Sequence, residues 1–151
     1  MKTSNALFLF LLVVIGCAPI TREKMQADLA GYSLPRISHN DSSLVFVVRP
    51  SSLGTLIRFN VFLDNKESSS EMGYTRGGQH IYFNVKPGAH IIFSNAENWG
   101  ELSINTKPGE SVFILQEPQM GLIMARNSLK LLDSLEGAYY VKHTNRGTFL
   151  K

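Results

Sequence analysis

Cys17 is the residue whose position most strongly suggests covalent chemistry. It is the only cysteine among 151 residues, and it lies just behind an unbroken apolar run, Ala6–Ile15. A thiol is a nucleophile that can be alkylated, whereas a single cysteine cannot form a disulfide within its own chain. A lone cysteine is often an inert buried residue, but its fixed place behind the apolar run favours modification. Because no disulfide can form within the chain, the hydrophobic core must stabilise the folded part by itself.

The segment that precedes Cys17 has the layout of an export signal. Lys2 supplies a positive start, ten apolar residues follow, and Gly16 is a small residue at the end. A membrane-spanning helix needs roughly 20 apolar residues. We therefore predict that residues 1–16 are a signal peptide that is removed. The alternatives are a short membrane anchor and a buried helix, and the lack of any polar face disfavours the buried helix.

The run Val14-Ile15-Gly16-Cys17 resembles the bacterial lipobox. That resemblance implies cleavage between Gly16 and Cys17, a diacylglycerol group on the thiol and an acyl group on the new N-terminus, with no other cofactor. Ala18, in place of aspartate, resembles the outer-membrane sorting pattern of bacteria with two membranes. The expected location is thus the cell envelope, with Cys17 held in membrane lipid, and the outer membrane if the host has one.

The charge of the chain gives little indication of a partner. Its formal net charge is +3, and removing Lys2 with the signal leaves fourteen basic against twelve acidic residues. Nucleic-acid-binding proteins cluster their Lys and Arg on one face or stripe, whereas the basic residues here are scattered. We therefore predict no nucleic-acid partner.

No familiar catalytic or metal-binding pattern appears in the sequence. The four histidines lack the close spacing of a zinc-binding pair, and neither a nucleophile elbow nor a phosphate-binding loop is present. We predict no catalytic, cofactor-binding or metal-ligating residue. The alternative is an envelope hydrolase whose site is assembled from distant residues such as His80, His90 and nearby carboxylates.

A few residues are candidates for an interaction surface. Arg49 follows a very apolar segment, so it either binds an anionic partner or is a strand-end charge that reaches solvent. Met120 and Met124 belong to a methionine-rich segment that suits adaptable binding, although core packing is the alternative. Trp99 and the pair Tyr139-Tyr140 would indicate binding if they are exposed, because interfaces are enriched in aromatic residues.

From residue 44 onward, short apolar runs alternate with turn residues, which is typical of an antiparallel β-sandwich. The continuous run Leu44–Val48 indicates a buried strand, and alternating patterns indicate further strands, at Ile57–Leu63, Met72–Arg76, Ile81–Val85, His90–Ser94, Leu102–Thr106, Val112–Gln116, Met120–Ala125 and Leu129–Leu132. The tail Ser134–Thr144 predicts a short helix capped by Ser134. The polar residues 18–43 are interpreted as a tether, with a helix at Arg22–Leu29 or packing on the domain as alternatives.

Two Lys-Pro-Gly turns occur 21 residues apart, Val85-Lys86-Pro87-Gly88 and Thr106-Lys107-Pro108-Gly109. Proline fixes one backbone angle and glycine supplies a positive one, so each predicts a tight turn. We predict a hairpin at each turn, with Val85 facing His90 across the first.

Three features in order resemble a bacterial domain family of unknown function, number 2846. They are Leu44–Ser51, the turn Lys86–His90, and Met120-Gly121 followed by Ala125–Leu129. The resemblance covers roughly residues 43–143 and implies a small envelope protein, often a lipoprotein. It implies no catalytic residue.

Together these patterns predict a signal peptide at 1–16, a lipidated N-terminus and polar tether at 17–43, and one domain at 44–151. The expected fold is all-β, an immunoglobulin-like or related antiparallel sandwich with a short C-terminal helix. The expected function is that of a membrane-anchored, non-enzymatic binding or structural module with an envelope protein partner. Besides the hydrolase, a subunit of a larger secretion-type envelope complex stays open.

Overall fold

The structure is a computed structural model that describes residues 19–35, 41–121 and 126–150. Two five-stranded sheets face each other, the C-terminal helix lies on one of them, and the N-terminal helix packs against the C-terminal helix. The predicted all-β sandwich with a short C-terminal helix is confirmed.

The described residues form ten strands and two α-helices, with a short 3-10 helix at Ser68–Ser70 between the second and third strands. In chain order they are α1 (Arg22–Asp28), β1 (Ser43–Arg49), β2 (Phe59–Leu63), β3 (Glu71–Thr75), β4 (Gln79–Val85), β5 (Gly88–Asn95), β6 (Trp99–Thr106), β7 (Ser111–Gln119), β8 (Arg126–Leu132), α2 (Ser134–Lys142), β9 (Asn145–Arg146) and β10 (Thr148–Phe149).

The first sheet has the strand order β8-β7-β1-β4-β9, and the second has β10-β3-β2-β5-β6. The second sheet is antiparallel throughout. In the first sheet, β7 lies parallel to β1 and β9 parallel to β4, so that sheet is mixed.

Strand β1, at the centre of the first sheet, is buried on both faces because the second sheet covers one face and α2 covers the other. Val45 and Val47 join the core between the sheets. Leu44, Phe46 and Val48 pack on the other face, beneath Val141 of α2. This double burial explains why the strand reads as a continuous apolar run.

The prediction of hairpins at the two Lys-Pro-Gly turns is wrong. Strands β4 and β5 belong to different sheets, as do β6 and β7, so each turn is an arch that crosses the sandwich. The carbonyl of Lys86 accepts hydrogen bonds from the side chains of His90 (2.7 Å) and Thr106 (3.4 Å). The two arches lie side by side, because Gly88 pairs with Thr106. Gly88 and Gly109 have φ of 136° and 75°, which glycine adopts readily.

The residue that caps the N-terminus of helix α2 lies one position earlier than predicted. The carboxylate of Asp133, not the hydroxyl of Ser134, accepts hydrogen bonds from the backbone N–H groups of Leu135 (2.9 Å) and Glu136 (3.0 Å). Asp133 is therefore the N-cap, a role that aspartate and serine fill about equally well.

The tether prediction is wrong for residues 22–34. Helix α1 forms as the alternative proposed, Met25 on it is only 5% exposed, and Leu34 packs beneath α2. Arg22 pairs with Asp133 at 2.6 Å, while Asp28 lies 3.0 Å from Nζ of Lys142. This segment packs on the domain because α2 provides both an apolar contact and oppositely charged partners.

Two ends of the sandwich are distinguished by their connections. The arch end carries the two arches, residues 86–87 and 107–110. The loop end carries the β1–β2 loop at 50–58, the β3–β4 turn at 76–78 and the β5–β6 turn at 96–98. Helix α2 runs from the arch end, where it follows β8, to the loop end, where Asn145 pairs with Gln79.

Candidate binding surface at the loop end

Arg49 is at the loop end, but it is buried. Its relative exposure is 0%, so the predictions that it reaches solvent or forms an interaction surface are wrong. One terminal nitrogen donates to the carbonyl of Ile57 (2.8 Å), and the other to those of Leu53 (2.8 Å) and Gly54 (2.9 Å). The guanidinium carbon also lies 3.7 Å from the ring centroid of Phe59. The β1–β2 loop thus folds back over the guanidinium group of Arg49, which holds it in place.

Burial lowers the pKa of Arg49 to about 10. The side chain therefore remains charged at neutral pH, and carbonyl dipoles and the face of Phe59 stabilise that charge. Further bonds within the loop join the Thr55 hydroxyl to the carbonyl of Ser52 and the N–H of Ile57 to the carbonyl of Gly54 (2.9 Å). The loop is consequently a preformed structure.

That braced loop presents apolar side chains to solvent. Leu56 is 86% exposed and Leu53 is 46% exposed. Met120, which follows β7 at the same end, is 83% exposed, so core packing is wrong for Met120. Met124 lies outside the described residues. Large leucines held this far out of a core suggest a contact surface.

Arginines flank the apolar loop. The guanidinium carbons of Arg58 and Arg76 lie 5.1 Å and 5.2 Å from the ring centroid of Tyr74. Hydrogen bonds with Thr148 and Arg76, together with the charges of Arg76 and Arg58, hold the pKa of the Tyr74 phenol below its usual range. Two positive charges therefore lie beside this phenol. Gly77, in the same turn as Arg76, packs so tightly on the β1–β2 loop that an added Cβ would lie 2.9 Å from the Ser51 carbonyl oxygen.

Trp99 lies on the outer face of the second sheet, at the start of β6. The residue is 41% exposed, and its ring centroid lies 5.2 Å from that of Phe62. Nζ of Lys66 lies 5.3 Å from the Trp99 centroid and 4.8 Å from that of Phe93. Lys66 also pairs with Glu101 at 3.9 Å. Trp99 is thus an exposed aromatic beside an ion pair, and binding surfaces are enriched in aromatic residues.

Buried polar side chains fix the position of this end. Gln116 on β7 reaches across the core to donate to Ser94 Oγ (2.7 Å) and to accept from the Thr75 hydroxyl. Asn98, in the β5–β6 turn, donates to the carbonyl of Asn127 (2.9 Å) and accepts from its N–H (2.7 Å). The two sheets are therefore held in register beside the exposed loop.

The histidines do not form one site. His80 on the first sheet hydrogen-bonds with Thr144 (2.9 Å), whereas His90 on the second sheet contacts Asp64. Tyr140, on α2, packs against the apolar cluster between that helix and the first sheet, and the ring centroid of Tyr139 lies 4.4 Å from that of His143. Within the described ranges, no three His, Cys, Asp or Glu side chains are grouped as metal ligands.

His90 is expected to make stability depend on pH. Partial burial opposes its charge, but the Lys86 carbonyl and the Asp64 carboxylate raise its pKa overall. Both ring nitrogens face acceptors, at 2.7 Å and 2.9 Å, so the geometry suits the imidazolium. The stabilisation is then complete below pH about 6.5 and is lost as pH rises through the folded-state pKa. NMR titration should give a His90 pKa above 6.5. The free energy of unfolding of the wild type should exceed that of His90→Gln by more at pH 5.5 than at pH 8.5, two values chosen on either side of that pKa. A difference in free energy that is the same at both pH values would contradict the prediction.

A groove of about 380 Å³ opens between the edges of β6 and β8 toward the arch end. Its wall combines Leu131 and Phe113 with hydroxyl groups and the carboxylate of Asp133. That carboxylate is already bonded to Arg22 and to the start of α2. The groove therefore offers weaker evidence of binding than the loop end.

Sequence reasoning missed Leu53, Leu56, Arg58 and Arg76. The available signal was two leucines within a loop rich in serine, glycine and threonine, with an arginine two residues after the second leucine. Such leucines cannot belong to a strand pattern, and a loop places them near the surface.

Cys17 and Gly16 lie outside the described residues, so lipidation stays a prediction. No helix in the described part of the chain is long and apolar enough to span a bilayer. No protein-family model matches the chain, no curated protein matches it, and the resemblance to family 2846 stays a prediction.

Proposed function

We propose that this chain is a lipid-anchored, non-enzymatic binding module of the bacterial envelope, with the loop end as its binding surface. The observation that carries the proposal is the exposed pair Leu53 and Leu56 on a loop that buried Arg49 holds in shape. Preforming a contact loop reduces the entropy lost on binding. The arginines and Trp99 around it extend the surface.

The position of helix α1 supports this arrangement. Arg22 begins α1 near Asp133 and the arch end, and Cys17 precedes it by five residues. Five extended residues reach at most about 17 Å. An anchor at Cys17 therefore turns the arch end toward its membrane and the loop end away from it, toward a partner.

The alternatives fit less well or use the same surface. A hydrolase built on His80 and His90 would need these side chains to converge, but they lie in different sheets. A subunit of a secretion-type complex would use the same anchor and loop end, with another envelope protein as the partner.

The anchor is tested by the intact mass of the membrane-extracted protein beside a Cys17→Ser variant. We expect the wild-type chain to begin at Cys17 with added acyl mass, and the variant to be neither lipidated nor cleaved. A wild-type chain that retains residues 1–16, or that begins elsewhere without lipid, would contradict the proposal.

A further inference from the structure

We propose that the loop end docks onto an anionic lipid surface, and that the anchored protein thereby bridges two bilayers. Leu53 and Leu56 enter the bilayer interface, and the surrounding arginines contact lipid phosphates. The bridging geometry rests on the proposed function, because it names the partner of the same surface.

The apolar part of the surface protrudes. Leu56 is almost fully exposed, and Leu53 and Met120 extend the apolar area at the same end. A protein partner would need a cavity that matches a projecting leucine, whereas the fluid interface of a bilayer adapts to it. Short apolar elements with basic neighbours bind membranes by this combination of burial and charge.

The charge around the apolar tip favours phosphate groups. Arg58, Arg126 and Arg146 are exposed at or beside the loop end, and Arg76 is half-buried there. The carboxylates at this end are Glu97 and Glu117. Among the residues that the structure describes, none of the four guanidinium groups forms an ion pair within 4.0 Å. Guanidinium groups bind phosphate in a bidentate manner, and cations near an anionic leaflet add affinity.

Two aromatic residues lie on the second sheet, next to the loop that carries Leu53 and Leu56. In the register of the second sheet, Tyr74 pairs with Asn60, Asn60 with Asn95, and Asn95 with Trp99. Tyr74 and Trp99 therefore occupy the same row across the outer face. Tyrosine and tryptophan are enriched at the level of lipid headgroups, which is the level that this row reaches when the leucines are inserted.

Vesicle bridging tests the proposal with the full-length, lipidated chain. The protein is reconstituted into immobilised donor vesicles of phosphatidylcholine and mixed with labelled acceptor vesicles, made either of phosphatidylcholine or of phosphatidylcholine with phosphatidylglycerol. We expect capture of the anionic acceptors, little capture of the neutral ones, and less capture at high salt. Leu56→Asp should reduce capture by about tenfold, since it places a charge where an apolar side chain inserts.

The matched control is Leu131→Asp, because Leu131 is 49% exposed but lies on β8, away from the loop end. It should capture acceptors like the wild type. Equal capture by the wild type and Leu56→Asp would overturn the proposal, and so would equal loss with Leu131→Asp.

Insertion is tested by moving the single tryptophan. The double variant Leu56→Trp, Trp99→Phe carries its only tryptophan at the loop tip, and the acceptor vesicles contain a lipid-attached quencher. We expect its fluorescence to be quenched more strongly than that of the wild type, in which Trp99 lies further from the tip. No quenching in the double variant would overturn insertion.

The two proposals fail in different ways. Release of the protein from donor vesicles would contradict the anchor, and direct flotation with acceptor vesicles then decides the docking by the same dependence on Leu56 and phosphatidylglycerol. Retention on donors without capture of acceptors would leave the anchor intact and overturn the docking. The exposed loop would then be a contact for protein.

Discussion

Replacing Gly137 with alanine is expected to lower the free energy of unfolding by about 3 kcal/mol. Gly137 is buried within α2, and an added Cβ would lie 2.1 Å from Cγ of Phe113. Phe113 cannot move aside easily, since it is 2% exposed and its ring is stacked 5.0 Å from that of Phe46. The helix must therefore shift away from the first sheet.

The sign of this effect is informative because helix propensity predicts the opposite. In a helix interior, alanine is favoured over glycine by about 1 kcal/mol. Urea unfolding of the wild type and Gly137→Ala measures which term dominates. The neighbouring variant Ala138→Gly is the control, with an expected loss of about 1 kcal/mol from propensity alone. Stabilisation by Gly137→Ala would show that α2 does not pack as closely as described.

Replacing Arg49 with leucine is expected to cost about 3 kcal/mol, because three carbonyl oxygens lose their donor at once. Those oxygens belong to Leu53, Gly54 and Ile57, and the loop must open for water to reach them. A leucine fills part of the space over Phe59 but donates no hydrogen bond. Both the midpoint of urea unfolding and the protease resistance of the loop should fall.

Two further variants separate the geometry of Arg49 from its charge. Arg49→Lys keeps a cation but lacks the planar fork that serves three carbonyls, so we expect an intermediate loss. Arg58→Leu removes a neighbouring exposed guanidinium and should change stability by no more than about 0.5 kcal/mol. If Arg49→Leu unfolds at the wild-type midpoint, the loop holds its shape without the guanidinium.

Local patterns in the sequence were sufficient for the class of fold. Alternation in β2 and β4, the continuous apolar run of β1 and the polar signals between strands report the burial of each segment. They depend only on neighbouring residues, so the prediction of an all-β sandwich with a C-terminal helix was correct. Gly137 weakened the helix pattern of α2. A glycine is needed there because Phe113, on the distant strand β7, leaves no room for a Cβ.

Local patterns were insufficient wherever two distant segments meet. A strand with one buried face reads the same in either sheet, so a hairpin and an arch at Lys86–Gly88 have the same pattern. Arg49 resembled a strand-end charge because its partners, the carbonyls of Leu53, Gly54 and Ile57, are provided by the fold of the following loop. Helix α1 resembled a tether because its partners, Asp133 and Lys142, are more than 100 residues away.

By itself, the sequence determined the burial of the strands and the export and lipidation hypothesis around Cys17. Periodicity and short motifs are recorded within a few consecutive residues. The tertiary structure decided which strands share a sheet, which charge is buried, and that Leu53, Leu56 and the arginines converge at one end. Those outcomes depend on contacts between residues far apart in the chain, whose free energies of packing and desolvation no local pattern records.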